Sequence, residues 1–378
     1  MYHQEKLLQM DNSKNTINAE TLREWLENNE PVFILDVRPL SQREDWKIPG
    51  SHYIDAYKRL NEGDNSVLNE IDIPENAKVI TVCAAGKTSQ AAAEALRQKG
   101  IDAWSLEGGM KAWGTAWNTA RKQFTDFEVI QIRRTGKGCM SYIISSNNEA
   151  LIIDASLPVE VYVHLIQQHN LTVKYVIETH IHADHLSRSK QVAAYFHVPL
   201  FLPVPNKVRF SHNKITADTT FSIGAVTLQC LPTPGHTLES VSFYIENSIV
   251  FTGDTIFTNA VGRPDLKASE EESRNKATLL YHSLQKLLLL PDHVLVFPAH
   301  TNKPVDFDGK LINTTISRAK NEIEILHNTG QDFINMLLQK IPPAPANYMA
   351  IVERNLTGDF SDIDPAELEA GSNRCGIS

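Results

Sequence analysis

The stretch THIHADH, residues 179–185, decides the fold of the second half of this chain. It overlaps the end of the run KYVIET at 174–179, whose short apolar, β-branched character predicts a buried strand. Four potential metal ligands lie within the six residues from His180 to His185. Imidazole nitrogen and carboxylate oxygen suit zinc, iron or manganese. Because a strand end gives such side chains a rigid base, the sequence predicts a metal centre at this point.

Further candidate ligands stand at similar strand-to-loop transitions. They are His236 in TPGHT, Asp254 in FTGDT and His300 in FPAHT. Each follows an apolar run, so we expect these side chains to converge with the first group at one sheet edge. The chain has 14 histidines, and those outside these motifs are interpreted as ordinary surface or core residues.

Together these motifs resemble the metallo-β-lactamase superfamily over residues 125–357. The resemblance implies an αββα sandwich with its metal site at one edge of the two sheets, and in that family the motifs can hold two metal ions. It also places Asp184 among the expected catalytic residues. Carried over position by position, one metal site takes His180, His182 and His236, and the other takes Asp184, His185 and His300, with Asp254 bridging.

The persulfide dioxygenase branch of the superfamily is similar in sequence and binds one iron through two histidines and one carboxylate. These positions correspond to His180, His236 and Asp254, a facial triad that leaves coordination positions open for oxygen and substrate. All seven ligands of the two-metal pattern are present in this chain. The number of ligands therefore does not decide between a site with one Fe²⁺ per chain and a site with two Zn²⁺ per chain.

Two other segments favour the dioxygenase branch. GRPD at 262–265 resembles its GRxD segment, and the planar guanidinium of Arg263 suits a carboxylate of glutathione. LYHS at 280–283 resembles a helix of that branch, and this resemblance makes Tyr281 a candidate hydrogen-bond donor to substrate. We therefore expect Arg263 and Tyr281 to bind substrate.

The chain also departs from that branch at two points. Leu238-Glu239 stands after His236-Thr237, where Pro-Gly is usual, and Thr301 stands after His300, where an aspartate is common. Because a carboxylate beside a metal ligand orients that ligand, we expect these differences to alter ligand orientation or metal affinity.

The first third of the chain carries a different reactive motif. CAAGKTS at 83–89 joins the apolar run KVITVC to an alanine-rich helical segment. Backbone N–H groups and the positive end of the helix dipole favour a thiolate at Cys83, and Lys87 adds positive charge. The same loop would stabilise a persulfide or bind an oxyanion such as thiosulfate.

Three landmarks accompany this loop in the order typical of rhodaneses: DVR at 36–38, IPGSH at 48–52 and LEGGMKAW at 106–113. The resemblance covers residues 15–118 and implies a parallel sheet between helical layers, an α/β/α domain. It makes Cys83 the sulfur-carrying nucleophile and Lys87 a substrate-binding residue. Rhodaneses often have arginine where Lys87 stands.

Composition sets the remaining limits. A length of 378 residues favours two folded domains, and the polar residues 115–126 are expected to link them. A net charge of −9 without Lys/Arg runs argues against nucleic acid or membrane partners. A polar N-terminus, short apolar runs and four scattered cysteines indicate a cytoplasmic protein. The tail, residues 358–378, is expected to be loosely packed, with Cys375 a free thiol.

These features leave three functions open. The first is iron-dependent oxidation of glutathione persulfide, or a similar small thiol persulfide, by O₂ to sulfite and thiol, with Cys83 exchanging sulfane sulfur with sulfite or thiosulfate. The second is a dinuclear zinc hydrolase of glutathione thioesters, similar to hydroxyacylglutathione hydrolase. In the third, the rhodanese-like domain only senses persulfide or docks. The fusion favours the first, because both domains would handle the same sulfur species. Dimers are frequent among related dioxygenases, so the resemblance leaves a homodimer open.

Overall fold

The computed structural model describes residues 10–11, 15–204, 207–266, 268–344, 347–371 and 373–377. Its first unit is a six-stranded sheet with strand order β1-β2-β6-β5-β3-β4, parallel except where β1 pairs with β2. The strands are β1 (Met10–Asp11), β2 (Thr16–Ile17), β3 (Val32–Asp36), β4 (His52–Tyr53), β5 (Lys78–Val82) and β6 (Ala103–Leu106).

Helices cover both faces of this sheet. Alternate residues of β3 enter different apolar clusters, with Phe33 and Leu35 on one face and Ile34 on the other. The predicted α/β/α arrangement is therefore confirmed. The helices are α1 (Ala19–Glu27), α2 (Leu40–Asp45), α3 (Tyr57–Asn61), α4 (Lys87–Gln98) and α5 (Gly109–Trp113), with a 3₁₀-helix at Asn65–Glu70.

The second unit contains two stacked sheets. The first sheet has seven strands in the order β13-β12-β11-β10-β9-β8-β7, and the second has six in the order β14-β15-β16-β17-β19-β20. The first comprises β7 (Asn118–Gln123), β8 (Glu128–Arg133), β9 (Met140–Ser146), β10 (Glu149–Ile153), β11 (Thr172–Ile177), β12 (Leu200–Leu202) and β13 (Asn213–Lys214). The second comprises β14 (Thr220–Ile223), β15 (Val226–Pro232), β16 (Val241–Ile245), β17 (Ile249–Gly253), β19 (Leu295–Pro298) and β20 (Thr314–Thr315), and β18 (Val261–Gly262) pairs separately with β21 (Gly376–Ile377).

Three apolar clusters hold these layers together. One fills the space between the sheets and includes Tyr142, Phe251 and Phe297. A second packs α6 (Val159–Gln168) and α7 (Ser189–Phe196) on the outer face of the first sheet. A third packs α8 (Glu270–Leu288), α9 (Ile316–Glu322) and α10 (Gly330–Gln339) on the second sheet. The predicted αββα sandwich is confirmed. The remaining helices are α11 (Tyr348–Thr357), α12 (Pro365–Leu368) and a 3₁₀-helix at Glu324–His327.

The structure differs from the expected linker at residues 115–126. Strand β7 occupies half of this range and pairs antiparallel with β8 along its whole length. Its second half is exposed on both sides, because β7 is the edge strand of its sheet. This exposure explains why the segment is polar and lacks an apolar period.

The two units share a packed interface. The indole Nε1 of Trp46 donates a hydrogen bond to the carbonyl of Thr135 at 3.0 Å, and Phe307 packs against Trp113 in the core of the first unit. A Cβ on Gly136 would lie 1.8 Å from the carbonyl oxygen of Trp113. The close approach of the two backbones therefore requires glycine at 136.

The prediction of a loosely packed tail is wrong. Glu369 is buried and forms an ion pair with Arg134 at 2.6 Å, and the amide of Asn373 donates to the carbonyl of Thr301 at 2.8 Å. Strand β21 then pairs with β18 beside the predicted metal centre. The polar composition of the tail gave no sign of this packing, because buried ion pairs and backbone hydrogen bonds hold the segment in place. Across the described ranges we find no helix with the length and apolar character of a membrane span.

Candidate metal centre

All seven predicted ligands converge at one end of the sandwich. Each follows the carboxyl end of a strand, and each side chain is almost fully buried. The strands are β11, β15, β17 and β19, which belong to both sheets. The ligands are His180, His182, Asp184 and His185 after β11, His236 after β15, Asp254 after β17 and His300 after β19.

Three of these residues form a tight donor group. Ligand atoms of His180, His236 and Asp254 lie within 4.8 Å of one another. Asp254 Oδ2 is 3.7 Å from His180 Nε2 and 3.5 Å from His236 Nε2. Within the described part of the chain, His180 Nε2 and Asp254 Oδ2 are buried without a hydrogen-bond partner. Buried polar atoms are rarely left unpaired, and a bound cation would satisfy both of these atoms. The donor set therefore fits a metal ion.

Outer hydrogen bonds orient the two histidines. The Nδ1–H of His236 donates to the carbonyl oxygen of Arg263 at 2.8 Å. Thr179 gives its hydroxyl proton to Asp154 at 2.8 Å and so accepts from His180 Nδ1 at 2.9 Å. Both rings are thereby held with a bare Nε2 facing Asp254, as metal-binding histidines require.

Burial sets the protonation of this group. Desolvation lowers the pKa of both His180 and His236 below the ordinary value, so the rings are neutral and keep a lone pair. Burial alone would raise the pKa of Asp254, but His300 and His180 hold it well below its ordinary value. Neutral imidazoles around an ionised carboxylate are the protonation states that metal binding needs.

A second group lies on the other side of His300. It consists of Cys139, Asp184, His185 and His300, with ligand atoms within 4.8 Å of one another. His300 lies between two carboxylates, with Nδ1 2.6 Å from Asp254 Oδ1 and Nε2 2.8 Å from Asp184 Oδ2. Against the effect of burial, these carboxylates raise the pKa of His300 well above the ordinary value. His300 is therefore a cation that pairs with both carboxylates in the metal-free chain.

His182 belongs to neither donor group, although its ring centroid lies 4.2 Å from those of His180 and His185. Its Nε2 is 3.3 Å from Asp154 Oδ1, and it joins none of the metal-ligand groups among the described residues. Burial would lower its pKa, but the carboxylate of Asp154 outweighs burial and raises the pKa to about 9. In the described part of the chain the other ring nitrogen, Nδ1, is buried without a hydrogen-bond partner, so a carboxylate at Nε2 leaves Nδ1 available to a metal once the ring is neutral. The structure thus groups His180 and His236 with Asp254 and places His182 beside them, next to Asp154.

Three residues of this region are not among the seven predicted ligands. Asp154 holds His182, Cys139 donates from Sγ to Asp184 Oδ2 at 3.3 Å, and Cys375 lies in a third ligand group with Asp254 and His300. Cys375 is buried rather than a loose tail thiol. A cysteine just before a strand and an aspartate just after one were the available signals for Cys139 and Asp154. Nothing in the local sequence indicated the position of Cys375.

Arg263 and Tyr281 lie outside the open space beside the metal centre. The Arg263 side chain is fully buried and donates to Asp265 and to the carbonyls of Pro342 and Arg374 at 2.7–3.1 Å. The Tyr281 ring packs against Phe333. Substrate binding by these two residues stays a prediction, and Arg263 holds the tail in this structure.

An open cavity of about 550 Å³ reaches His236. Its wall combines apolar side chains such as Leu266 and Val352 with charged groups. The charged residues are Lys207, Lys214, Lys276, Glu239 and Glu272. A space of this size with a mixed wall suits a small organic anion that approaches the metal ligands from solvent.

The Cys83 loop forms the expected cradle in the first unit. Cys83 is buried, and its Sγ accepts from the Gly86 N–H at 3.1 Å and from the Ser89 hydroxyl at 3.3 Å. Gly86 has φ +92°, a conformation that glycine adopts without strain. Lys87 is the exposed first residue of α4. Two donors thus point at a sulfur located at a helix N-terminus.

Both units of the chain resemble known proteins or protein families. The curated relatives include a probable metallo-hydrolase, YqgX, of Bacillus subtilis, 29% identical over 181 residues, which are 42% of this chain and 83% of the relative. A hydroxyacylglutathione hydrolase of Nitrosomonas eutropha is 28% identical over 245 residues, 62% of this chain and 86% of the relative.

Solved structures show the same fold. A metallo-beta-lactamase from Staphylococcus aureus has a TM-score of 0.58 at 24% identity and covers 62% of this chain and 75% of its own. ETHE1 from Myxococcus xanthus has a TM-score of 0.53 at 26% identity and covers 61% of this chain and 98% of its own. By family comparison, residues 18–116 are a rhodanese-like domain, and residues 134–300 are a domain of the metallo-beta-lactamase superfamily.

Proposed function

We propose that the metal domain binds one Fe²⁺ and oxidises the outer sulfur of a small anionic thiol persulfide, such as glutathione persulfide, with O₂. The balanced reaction is RSSH + O₂ + H₂O → RSH + SO₃²⁻ + 2H⁺. The observation that carries the proposal is the donor group of His180, His236 and Asp254, which His182 does not join. Among the described residues, His180 Nε2 and Asp254 Oδ2 of this group have no hydrogen-bond partner. Two histidines and one carboxylate are the donor set of iron oxygenases.

The protein's own groups do the positioning. Bound iron would supply the redox chemistry that joins O₂ to sulfur. Arg263 and Thr179 fix the rings of His236 and His180 through Nδ1. The cavity beside His236 admits the substrate, and Lys207, Lys214 and Lys276 in its wall would attract the carboxylates of a peptide thiol.

Cys83 supplies the second half of the proposed function. Its sulfur would carry sulfane sulfur, and the persulfide anion would give it to sulfite: Cys83–S–S⁻ + SO₃²⁻ → Cys83–S⁻ + S₂O₃²⁻. The S–S bond breaks, its electron pair stays on Cys83, and the donors on Gly86 and Ser89 stabilise the resulting thiolate. The metal domain would produce the sulfite that this domain consumes. The reverse transfer, from thiosulfate to Cys83, uses the same contacts.

A second candidate is a dinuclear zinc hydrolase of glutathione thioesters. It is favoured by the complete second group around Asp184, His185 and His300 and by relatives named hydroxyacylglutathione hydrolase. In that case two zinc ions would activate water for attack on the thioester carbonyl. In this candidate His182 would use its unpaired Nδ1, while its Nε2 stays 3.3 Å from Asp154.

The deciding experiment is oxygen consumption by iron-reconstituted protein after addition of glutathione persulfide, with His180→Ala as the control. We expect rapid uptake in the wild type that is lost in the variant, with sulfite as product. Absence of uptake from iron-loaded protein, together with turnover of a glutathione thioester by zinc-loaded protein, would establish the hydrolase instead.

A further inference from the structure

An ammonium group is buried in the wall of the cavity beside the metal centre. Lys276, on α8, is only 8% exposed and lines the open space that reaches His236. The other lysines of this wall, Lys207 and Lys214, are exposed to solvent. An ion pair with an exposed ammonium contributes little, because water competes for the charge. A ligand in the cavity therefore gains a fixed ionic contact chiefly at Lys276.

The described residues leave this ammonium without an ion-pair partner. Within that part of the chain, Lys276 Nζ donates one hydrogen bond, to the carbonyl oxygen of Leu266 at 3.3 Å. The carboxylates of Glu239, Asp265 and Glu272 attract it without reaching hydrogen-bond distance. An ammonium has three donors, and a buried charge is normally paired. Lys276 therefore keeps donors for an anion in the cavity.

Two of these carboxylates are committed to other partners. Glu272 accepts from the Ser269 N–H at 2.7 Å and belongs to the capping box of α8. Asp265 accepts two hydrogen bonds from the guanidinium of Arg263, each at 2.8 Å. Neither carboxylate can turn to Lys276 without giving up these contacts.

Glu239 does not neutralise Lys276 either. Its Oε1 accepts from the Ile181 N–H at 3.4 Å. Burial lowers the pKa of Lys276, and the attraction of Glu239, which is the largest opposing effect, does not restore the ordinary value. A carboxylate that entered the cavity would replace the hydration that the ammonium has lost.

We propose that Lys276 is a substrate-binding residue that forms a direct ion pair with a carboxylate of the persulfide, and that this pair makes the cavity selective for thiol persulfides that carry a carboxylate. Because the cavity wall includes both Lys276 and His236, a ligand held by its carboxylate has its sulfur end free to approach the metal ligands. The inference rests on the proposed function for the identity of the substrate. Carboxylate binding itself requires neither iron nor O₂, so it is measured without turnover.

Calorimetric titration of the metal-free full chain tests this contact. The ligand is S-methylglutathione, which keeps the carboxylates of glutathione and has no sulfur to transfer. We expect Lys276→Met to weaken its binding roughly tenfold or more, because a hydrogen bond between charged groups is lost, and Lys276→Arg to keep most of the affinity. Lys286→Met, the same substitution at an exposed position of the same helix, is the control and should bind like the wild type. The diethyl ester of the ligand lacks the carboxylate charges, so the wild type and Lys276→Met should bind it equally.

Equal affinity of the wild type and Lys276→Met for S-methylglutathione would overturn the inference, as would a wild type that does not bind this ligand. An equal loss of affinity for the acid and the ester in Lys276→Met would also overturn it, because that pattern indicates lost packing rather than a lost ion pair. If Lys276→Met does not fold, a crystal structure of the wild type with S-methylglutathione decides. A carboxylate oxygen at about 2.7–2.9 Å from Lys276 Nζ supports the inference, and a bound ligand without this contact contradicts it.

Failure of the proposed function gives a different result. Iron-loaded wild type that binds S-methylglutathione but consumes no O₂ with glutathione persulfide would overturn the reaction and leave the carboxylate site in place. Oxygen uptake together with equal affinities in the wild type and Lys276→Met would keep the reaction and overturn the carboxylate contact.

Discussion

His236 gives its Nδ1 hydrogen to the carbonyl oxygen of Arg263, 2.8 Å away, and the side chain of the same arginine holds the C-terminal segment. One residue thus joins a candidate metal ligand to a part of the chain more than 100 positions later. Its guanidinium donates to Asp265 and to backbone carbonyls of residues 342, 343 and 374.

Replacing Arg263 by methionine should destabilise the protein by about 3–5 kcal/mol, because it leaves Asp265 and several buried carbonyls without their donor. Urea unfolding of the full chain measures the loss. Arg374→Met is the control, since Arg374 is exposed and its ion pair with Asp45 at 3.2 Å is worth less than about 1 kcal/mol. Equal midpoints for Arg263→Met and the wild type would contradict a structural role for this side chain.

Metal binding should depend on His180 but not on His182. Removing a direct ligand by His180→Ala should weaken iron binding by more than the roughly 10–100-fold that loss of an outer partner causes. His182→Ala should keep one iron per chain, because His182 lies outside the donor group of His180, His236 and Asp254. Elemental analysis after equilibrium dialysis compares the two alanine variants. Equal loss of metal in both would favour the two-metal assignment.

The His182–Asp154 pair should make the metal-free protein less stable in alkali. The pKa of His182 is raised from 6.5 to about 9 in the fold, so its contribution is complete below pH 6.5 and disappears as the pH rises through about 9. At pH values below this window, we expect the thermal midpoint of the chelator-treated wild type to be several degrees higher than that of His182→Gln. Above the window the two midpoints should converge. A difference that does not change with pH would refute this pairing.

Sulfur transfer should depend on the donors around Cys83. Cys83→Ser should abolish thiosulfate:sulfite exchange, and Ser89→Ala should slow it roughly tenfold, because one hydrogen bond to the thiolate is lost. Isotope exchange between labelled sulfite and thiosulfate gives the rate. Ser66→Ala, the same substitution at an exposed site, serves as the control. Full activity in Cys83→Ser would indicate a docking module.

Charge in the cavity should set the apparent affinity for an anionic substrate. Lys214→Glu, in the cavity wall, should raise KM for glutathione persulfide roughly fivefold, on the order of 1 kcal/mol, with kcat little changed. The effect should fade at high salt, because the side chain is exposed. Lys58→Glu makes the same charge change on the first domain and should leave KM as it was. A similar rise in both variants would point to net charge rather than to the cavity.

Local patterns predicted the scaffold and the ligand positions well. Strand ends are read from short apolar runs, and β5 and β11 lie within two residues of the predicted runs KVITVC and KYVIET. The apolar runs before His236, Asp254 and His300 are the strands β15, β17 and β19. The histidines and aspartates that follow those strands therefore converge as expected. The edge strand β7 was missed because its second half is exposed and its sequence lacks an apolar alternation.

The arrangement within the site depends on contacts that no local pattern encodes. Asp154 has φ +53°, and from this position it binds the backbone N–H and the hydroxyl of Thr179 as well as His182. Cys375 reaches Asp254 only because β21 pairs with a strand more than 100 residues earlier. Both facts follow from tertiary packing, which sequence spacing does not report.

The edge strand β7 begins at Asn118, only five residues after α5 ends at Trp113, and Gly136 is pressed against that same helix end. The two domains are thus joined without a flexible tether. A tether would let Cys83 swing to the metal centre and pass sulfur by direct contact, as mobile carrier arms do. This joint lacks such a tether, so under the proposed function sulfur would travel between the two centres on a molecule that is free to diffuse. The combined turnover of the two domains should then depend on the concentration of that carrier in solution.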